Sequence, residues 1–194
     1  IGTSPQLVGA LFSNSIISLI VMFAPLGFVF FLSARVMKMS YSAGQLSFWL
    51  FSALMGLSLS TIFVVYTGAS IANAFFTTAV AFGAMSLFGY TTKKDLSGMG
   101  RFLFMGVIGL IVAMIINWFT QSPGLEFAIN VLGVLIFAGL TAYDTQNIKN
   151  TYLSIRNAPN GEEIAAKAGI LGALSLYINF LNMFMFLLQF MGNR

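Results

Sequence analysis

A chain without histidine or cysteine has no imidazole base, no thiol nucleophile, no disulfide and none of the usual zinc ligands. Proton or cation chemistry then falls to five carboxylates. Asp95, Glu162 and Glu163 lie in hydrophilic segments rich in lysine and arginine, and Glu126 opens an apolar stretch. Asp144 is different, because it closes a run of nineteen nearly uncharged residues, within Gly139-Leu140-Thr141-Ala142-Tyr143-Asp144-Thr145-Gln146. A carboxylate inside or bordering a membrane span is costly and by default marks a functional site. The alternative places Asp144 among the lipid headgroups as a surface cap.

Polar residues recur around it with helical spacing. Gly172, Ser175, Asn179, Asn182 and Gln189 follow one another at steps of three, four, three and seven, one stripe on an otherwise apolar helix. Asn130, Gly133, Thr141 and Asp144 fall roughly on one face in the same way. If the stripes meet, two readings stand: hydrogen bonds between helices, worth about 0.6 to 2 kcal/mol per contact, or a polar pathway. Either way Asp144 is expected inside the bundle beside Asn179, within reach of a direct or water-bridged hydrogen bond, since a lone lipid-facing carboxylate costs several kcal/mol.

The elements that position these residues follow from composition. Of 194 residues 58% are hydrophobic and 7% charged, with a mean hydropathy of +0.91, against roughly 25% charged in soluble domains. The fold class is an all-α membrane protein, a polytopic helical bundle over 1–194 as a single domain. Apolar stretches long enough to cross a hydrocarbon core of about 30 Å lie at approximately 16–34, 46–66, 71–90, 102–119, 125–143 and 169–190. Each is expected to be a helix, because lipid gives open backbone no partner. Pro25 predicts a kink in the first. Gly56 with Ser60, Ala79 with Gly83 and Gly169 with Ala173 have the small-xxx-small spacing that permits close helix approach. The twenty-one Phe and eleven Met read as lipid-facing and core filler.

Charge sets the topology. Arg35 and Lys38, then Lys93, Lys94 and Arg101, then Lys149, Arg156 and Lys167 occupy alternate connections, while 67–70 and 120–124 hold no basic residue. Cytoplasmic loops carry the Lys and Arg excess, so the loops at 35–45, 91–101 and 146–167 are predicted to be cytoplasmic and the C-terminus external. The same assignment brings the first span in from outside. It is met most simply by a further helix and a cytoplasmic N-terminus ahead of Ile1, with the first fifteen residues as the external connection. The net charge of +4 is spread over these loops, not gathered on one face, and argues against nucleic acid as a partner. The lipid bilayer is the expected surrounding.

Three stretches together carry a resemblance: Tyr143-Asp144-Thr145-Gln146, Phe88-Gly89-Tyr90-Thr91-Thr92-Lys93-Lys94-Asp95-Leu96-Ser97, and Ser175-Leu176-Tyr177-Ile178-Asn179-Phe180-Leu181-Asn182-Met183-Phe184. From Pro25 onward the chain resembles the bacterial branch of the BAX inhibitor-1 family. The resemblance implies a seven-helix bundle with the last helix central, of which six helices lie in this chain. It also implies a pH-sensitive leak of calcium or other cations in the bacterial inner membrane. The family's first ion-site aspartate corresponds to Asp144 and the second to Asn179, a departure from the family pattern. Its arginine latch corresponds to Arg35, with Lys38 close by.

The departure predicts a blunted pH response, because two carboxyls in contact titrate as a unit and an amide does not ionise. One carboxylate with Asn179 and backbone carbonyls is a thin ligand set against the six to eight oxygens calcium prefers. Asp144 is therefore expected to hold calcium transiently, as a permeant ion, with no resident cofactor. A second reading makes the protein a regulator of a membrane-bound protease, contacted through 146–167. An intramembrane enzyme ranks last, since an aspartyl mechanism lacks its second acid, and no catalytic residue is assigned. Oligomeric state stays open.

Overall fold

The apolar stretches become helices because only a helix satisfies its own backbone in lipid, but their ends are set by caps and breakers. The computed structural model describes residues 15–193. Segment 1–14, most of the expected external connection, and Arg194 lie outside the described residues.

Six long helices follow in order: α1 Ser15–Arg35, α2 Tyr41–Val65, α3 Gly68–Thr91, α4 Ser97–Thr120, α5 Pro123–Ile155 and α6 Gly161–Met191. Among the described residues the last five are long and apolar enough to cross a membrane. This is an all-α polytopic membrane protein. Pro25 lies inside α1. In α2 a 3₁₀ turn at Leu59–Thr61 interrupts the α-helix, where the Ser60 hydroxyl donates to the Leu57 carbonyl at 2.7 Å and competes with the regular ladder.

Helix ends differ most from the sequence expectation on the cytoplasmic-predicted side. The segment 146–167, read as a loop, is helical up to Ile155 and again from Gly161, leaving only 156–160 as a connection. Hydropathy ends where the hydrocarbon ends, whereas a helix ends where its backbone is stopped. Here the stop is Pro159, Asn160 at φ 59 and Gly161, whose amide donates to the Ala158 carbonyl at 2.8 Å. Likewise 35–45 shortens to a 3₁₀ turn at Val36–Lys38 and two residues before α2, whose Ser40 hydroxyl caps the Ala43 amide. The 91–101 connection shortens to 92–96. Between α4 and α5, Gln121 adopts a left-handed conformation (φ 47) and Pro123 is the first residue of α5.

By contacts the described chain forms two units. One holds α1, α2 and residues 152–174, with Leu32, Val36 and Phe51 fully buried. The other holds 69–151 and 175–193. Its core gathers Leu110, Ile129, Phe137, Leu140, Met183 and Phe186, with the rings of Phe137 and Phe186 stacked 6.0 Å apart. α5 and α6 are the most buried of the candidate spans, 39% of each apolar window against 6 to 17% in α2 to α4.

Close approach runs through glycines other than those singled out by spacing. Gly56, Gly83 and Gly169 have open space where a side chain would stand. Gly89 of α3 lies against the Ala142 backbone, Gly100 of α4 against the Tyr143 ring and Gly133 of α5 against the Phe186 ring. With nineteen glycines in the chain, small-xxx-small pairs arise by chance, so spacing alone does not separate contact faces from lipid faces.

Candidate ion site

Among the described residues Asp144 is the only charged one on the cleft it lines, and the second unit builds that cleft around it. The cleft has a volume of about 370 Å³, walled by Phe104, Leu110 and Ile111 of α4, Phe137 and Leu140 of α5, and Ile178 and Phe186 of α6. Its polar lining is Asp144, Ser175, Asn179 and Asn182. The Asn179 amide nitrogen donates to Asp144 Oδ2 at 2.8 Å, and Asn179 is 5% exposed. Asp144 itself is half-buried and Ser175 exposed. The two polar stripes therefore meet at this point, one residue from each helix in direct contact.

Chemically the arrangement is a single acid, one oxygen of which accepts from an amide, in a space with mostly apolar walls. Low surrounding polarity strengthens any interaction with the carboxylate. No lysine or arginine lines the cleft among the described residues, so its charge is open to a mobile cation. Asn182 donates to its own helix at the Ile178 carbonyl, 2.9 Å, and its side-chain oxygen remains as an acceptor.

The other residues of the stripes lie elsewhere. Thr141 is fully buried and its hydroxyl donates back to the Phe137 carbonyl at 2.8 Å. It braces α5 and is absent from the cleft lining. Asn130 lies further along α5, on a second cavity that also includes Gln189. Arg35 is exposed at the end of α1.

Sequence reading missed Gln146. It is 6% exposed, its side-chain oxygen accepts from the Leu96 amide at 2.8 Å and its nitrogen donates to the Lys94 carbonyl at 2.7 Å. One side chain so satisfies two backbone groups of the 92–96 connection and ties that segment to α5 just past Asp144. Lys149, counted for topology alone, donates to the Tyr90 carbonyl at 2.6 Å and sits 5.3 Å from the Tyr90 ring centroid. A cation there meets the end of α3 that carries the negative pole of the helix dipole. The signal available was an amide two residues beyond the acid, on the helix face next to a connection with backbone groups to satisfy.

Comparison with known proteins extends this picture. The family described as inhibitor of apoptosis-promoting Bax1 matches residues 2–194. The chain belongs to this Bax inhibitor family. Within the family's reach it is similar to the inner membrane protein YbhL of Escherichia coli (strain K12), 47% identical over 98% of this chain and 81% of that one. It is also similar to a protein of Caulobacter vibrioides, 51% identical over 91% of this chain and 69% of that one. A protein of Rickettsia prowazekii is 44% identical over 90% of this chain and 72% of that one. The protein is thus an integral membrane member of the Bax inhibitor family.

Proposed function

We propose that the protein is a leak pathway for cations, calcium foremost, in which Asp144 is the ion and proton site and Asn179 its positioning partner. One observation carries the reading: a lone carboxylate, held by an amide at 2.8 Å, lines a cleft with no basic residue among the described residues to neutralise it. A permanent calcium site would need more oxygens than Asp144, Asn179 and Asn182 offer. Transient passage fits this ligand set better than storage.

In this reading the amide at 179 mutes the pH response, because the site changes charge once where a pair of acids would change it in two coupled steps. Arg35 acts as the latch of the pathway. The basic connections at Arg35 to Lys38, Lys93 to Lys94 and 156–160 face the cytoplasm, and the bundle works as one domain in the inner membrane. The test is calcium entry into liposomes that contain only this protein. Entry well above that of protein-free liposomes supports a leak pathway, and no entry moves the function to regulation of a membrane partner.

A further inference from the structure

The Asp144 cleft is longer than a bare metal ion uses. Phe137 and Asp144 are seven residues apart on α5, and Asn179 and Phe186 seven apart on α6, about 10 Å along each helix at 1.5 Å per residue. Asn179 donates to Asp144 at one end, and the rings of Phe137 and Phe186 stack at the other. All four residues line the cleft, which therefore has an acid end and an apolar end. Phe104 stands at the acid end, its ring edge-on to that of Tyr143, the neighbour of Asp144, with centroids 6.3 Å apart.

The chemistry of the walls selects among cations. Aromatic rings attract cations to their faces, quaternary ammonium ions above all, and Phe104, Phe137 and Phe186 supply such rings. A carboxylate between apolar walls draws a cation more strongly than one in water. Asp144 is half-buried on the cleft, and its hydrogen-bond partner among the described residues is Asn179, on Oδ2. The volume of about 370 Å³ falls among those of small-molecule sites, about 300 to 1,000 Å³. Access is from the side: Phe104, Ile111 and Met114 wall the cleft and are exposed, on a helix long and apolar enough to cross a membrane. A solute dissolved in the bilayer meets them directly.

We infer that the Asp144 cleft binds lipophilic ammonium ions, with the charged head at Asp144 and an apolar body reaching to Phe137 and Phe186, and that such an ion excludes a metal cation from Asp144. The inference deepens the cation-leak reading and rests on it only for the consequence that the bound ion blocks flux. A phospholipid headgroup matches less well, because its phosphate would enter with the ammonium and no basic residue among the described ones lines the cleft.

The probe is para-benzoylbenzyl-trimethylammonium, which is charged at every pH and forms adducts with nearby C–H bonds under ultraviolet light. With the full chain purified in an uncharged maltoside detergent, saturable adducts are expected on Ile111, Met114 or Phe186. Excess para-phenylbenzyl-trimethylammonium should abolish them, and its neutral isostere para-phenyl-neopentylbenzene, of the same shape without the charge, should not. Asp144→Asn should raise the half-saturating probe concentration about tenfold, the equivalent of about 1.4 kcal/mol. Adducts only outside the cleft, equal competition by the neutral isostere, or unchanged saturation in Asp144→Asn overturns the site. The isostere comparison uses the wild type, so it decides the question even where the variant fails to fold. In liposomes the probe should reduce calcium entry as the labelled fraction rises, and undiminished entry at full labelling overturns the exclusion. Calcium entry without cleft adducts removes this site and leaves the leak; cleft adducts without calcium entry remove the leak and leave the site.

Discussion

At the scale of single residues, Asn179 is in the proposed reading the residue that sets how the Asp144 site responds to protons. Its amide is a donor at every pH, so only Asp144 titrates there. Replacing it by a carboxylic acid brings two acids within hydrogen-bonding distance, which then titrate as a unit. Calcium flux through Asn179→Asp should acquire a pH-dependent step that the wild-type profile lacks. Superimposable profiles would show that the two positions do not act together.

Asp95 offers a pH test of local stability in the connection next to the site. Its carboxylate accepts from the Ser97 amide at 2.9 Å, and hydrogen bonds from Ser97, aided by Arg101, hold its pKa below the usual carboxylate value. A group whose pKa is lower folded than unfolded stabilises above the unfolded value and loses that contribution as pH falls through the folded one. Protection of the Ser97 amide against hydrogen exchange, corrected for intrinsic rates, should therefore decline below about pH 4. Asp95→Asn should show no such decline; the same decline in that variant would remove Asp95 as its cause.

At the scale of elements, glycine contacts separate α3 faces that spacing could not. At Gly89 a methyl group would meet the Ala142 backbone, which cannot rotate away, while at Gly83 it would meet nothing. Gly89→Ala should cost about 1 to 3 kcal/mol as overpacking. Gly83→Ala should be neutral or stabilising, since alanine is favoured over glycine within a helix by up to about 1 kcal/mol. Thermal unfolding in detergent distinguishes them, and equal melting temperatures would mean that α3 and α5 do not touch at Gly89.

The same elements show what the sequence makes legible. Helix number and the Asp144 to Asn179 contact follow from hydropathy and from polar residues at helical steps. The ends of α5 and α6 do not, because Gln146 to Ile155 is polar and helical at once and only the Pro159 to Gly161 turn stops it. Thr141 shares the Asp144 stripe but turns its hydroxyl to its own backbone, an option periodicity cannot reveal. The Gln146 clamp joins residues fifty apart and leaves no local pattern.

At the scale of the whole molecule, charge asymmetry predicts that the 92–96 connection faces the cytoplasm. The cysteine-free background makes labelling clean: a cysteine at Gly98, where a side chain meets open space, should resist an impermeant thiol reagent in intact cells and react after the membrane is opened. Reaction in intact cells would invert the topology. The central claim is that Asp144 is the ion site, and calcium flux into liposomes at fixed ionic strength, compared between wild type and Asp144→Asn of equal thermal stability, tests it most directly. Flux through the variant should fall by about tenfold or more, a barrier rise of about 1.4 kcal/mol, and undiminished flux through Asp144→Asn would contradict the account.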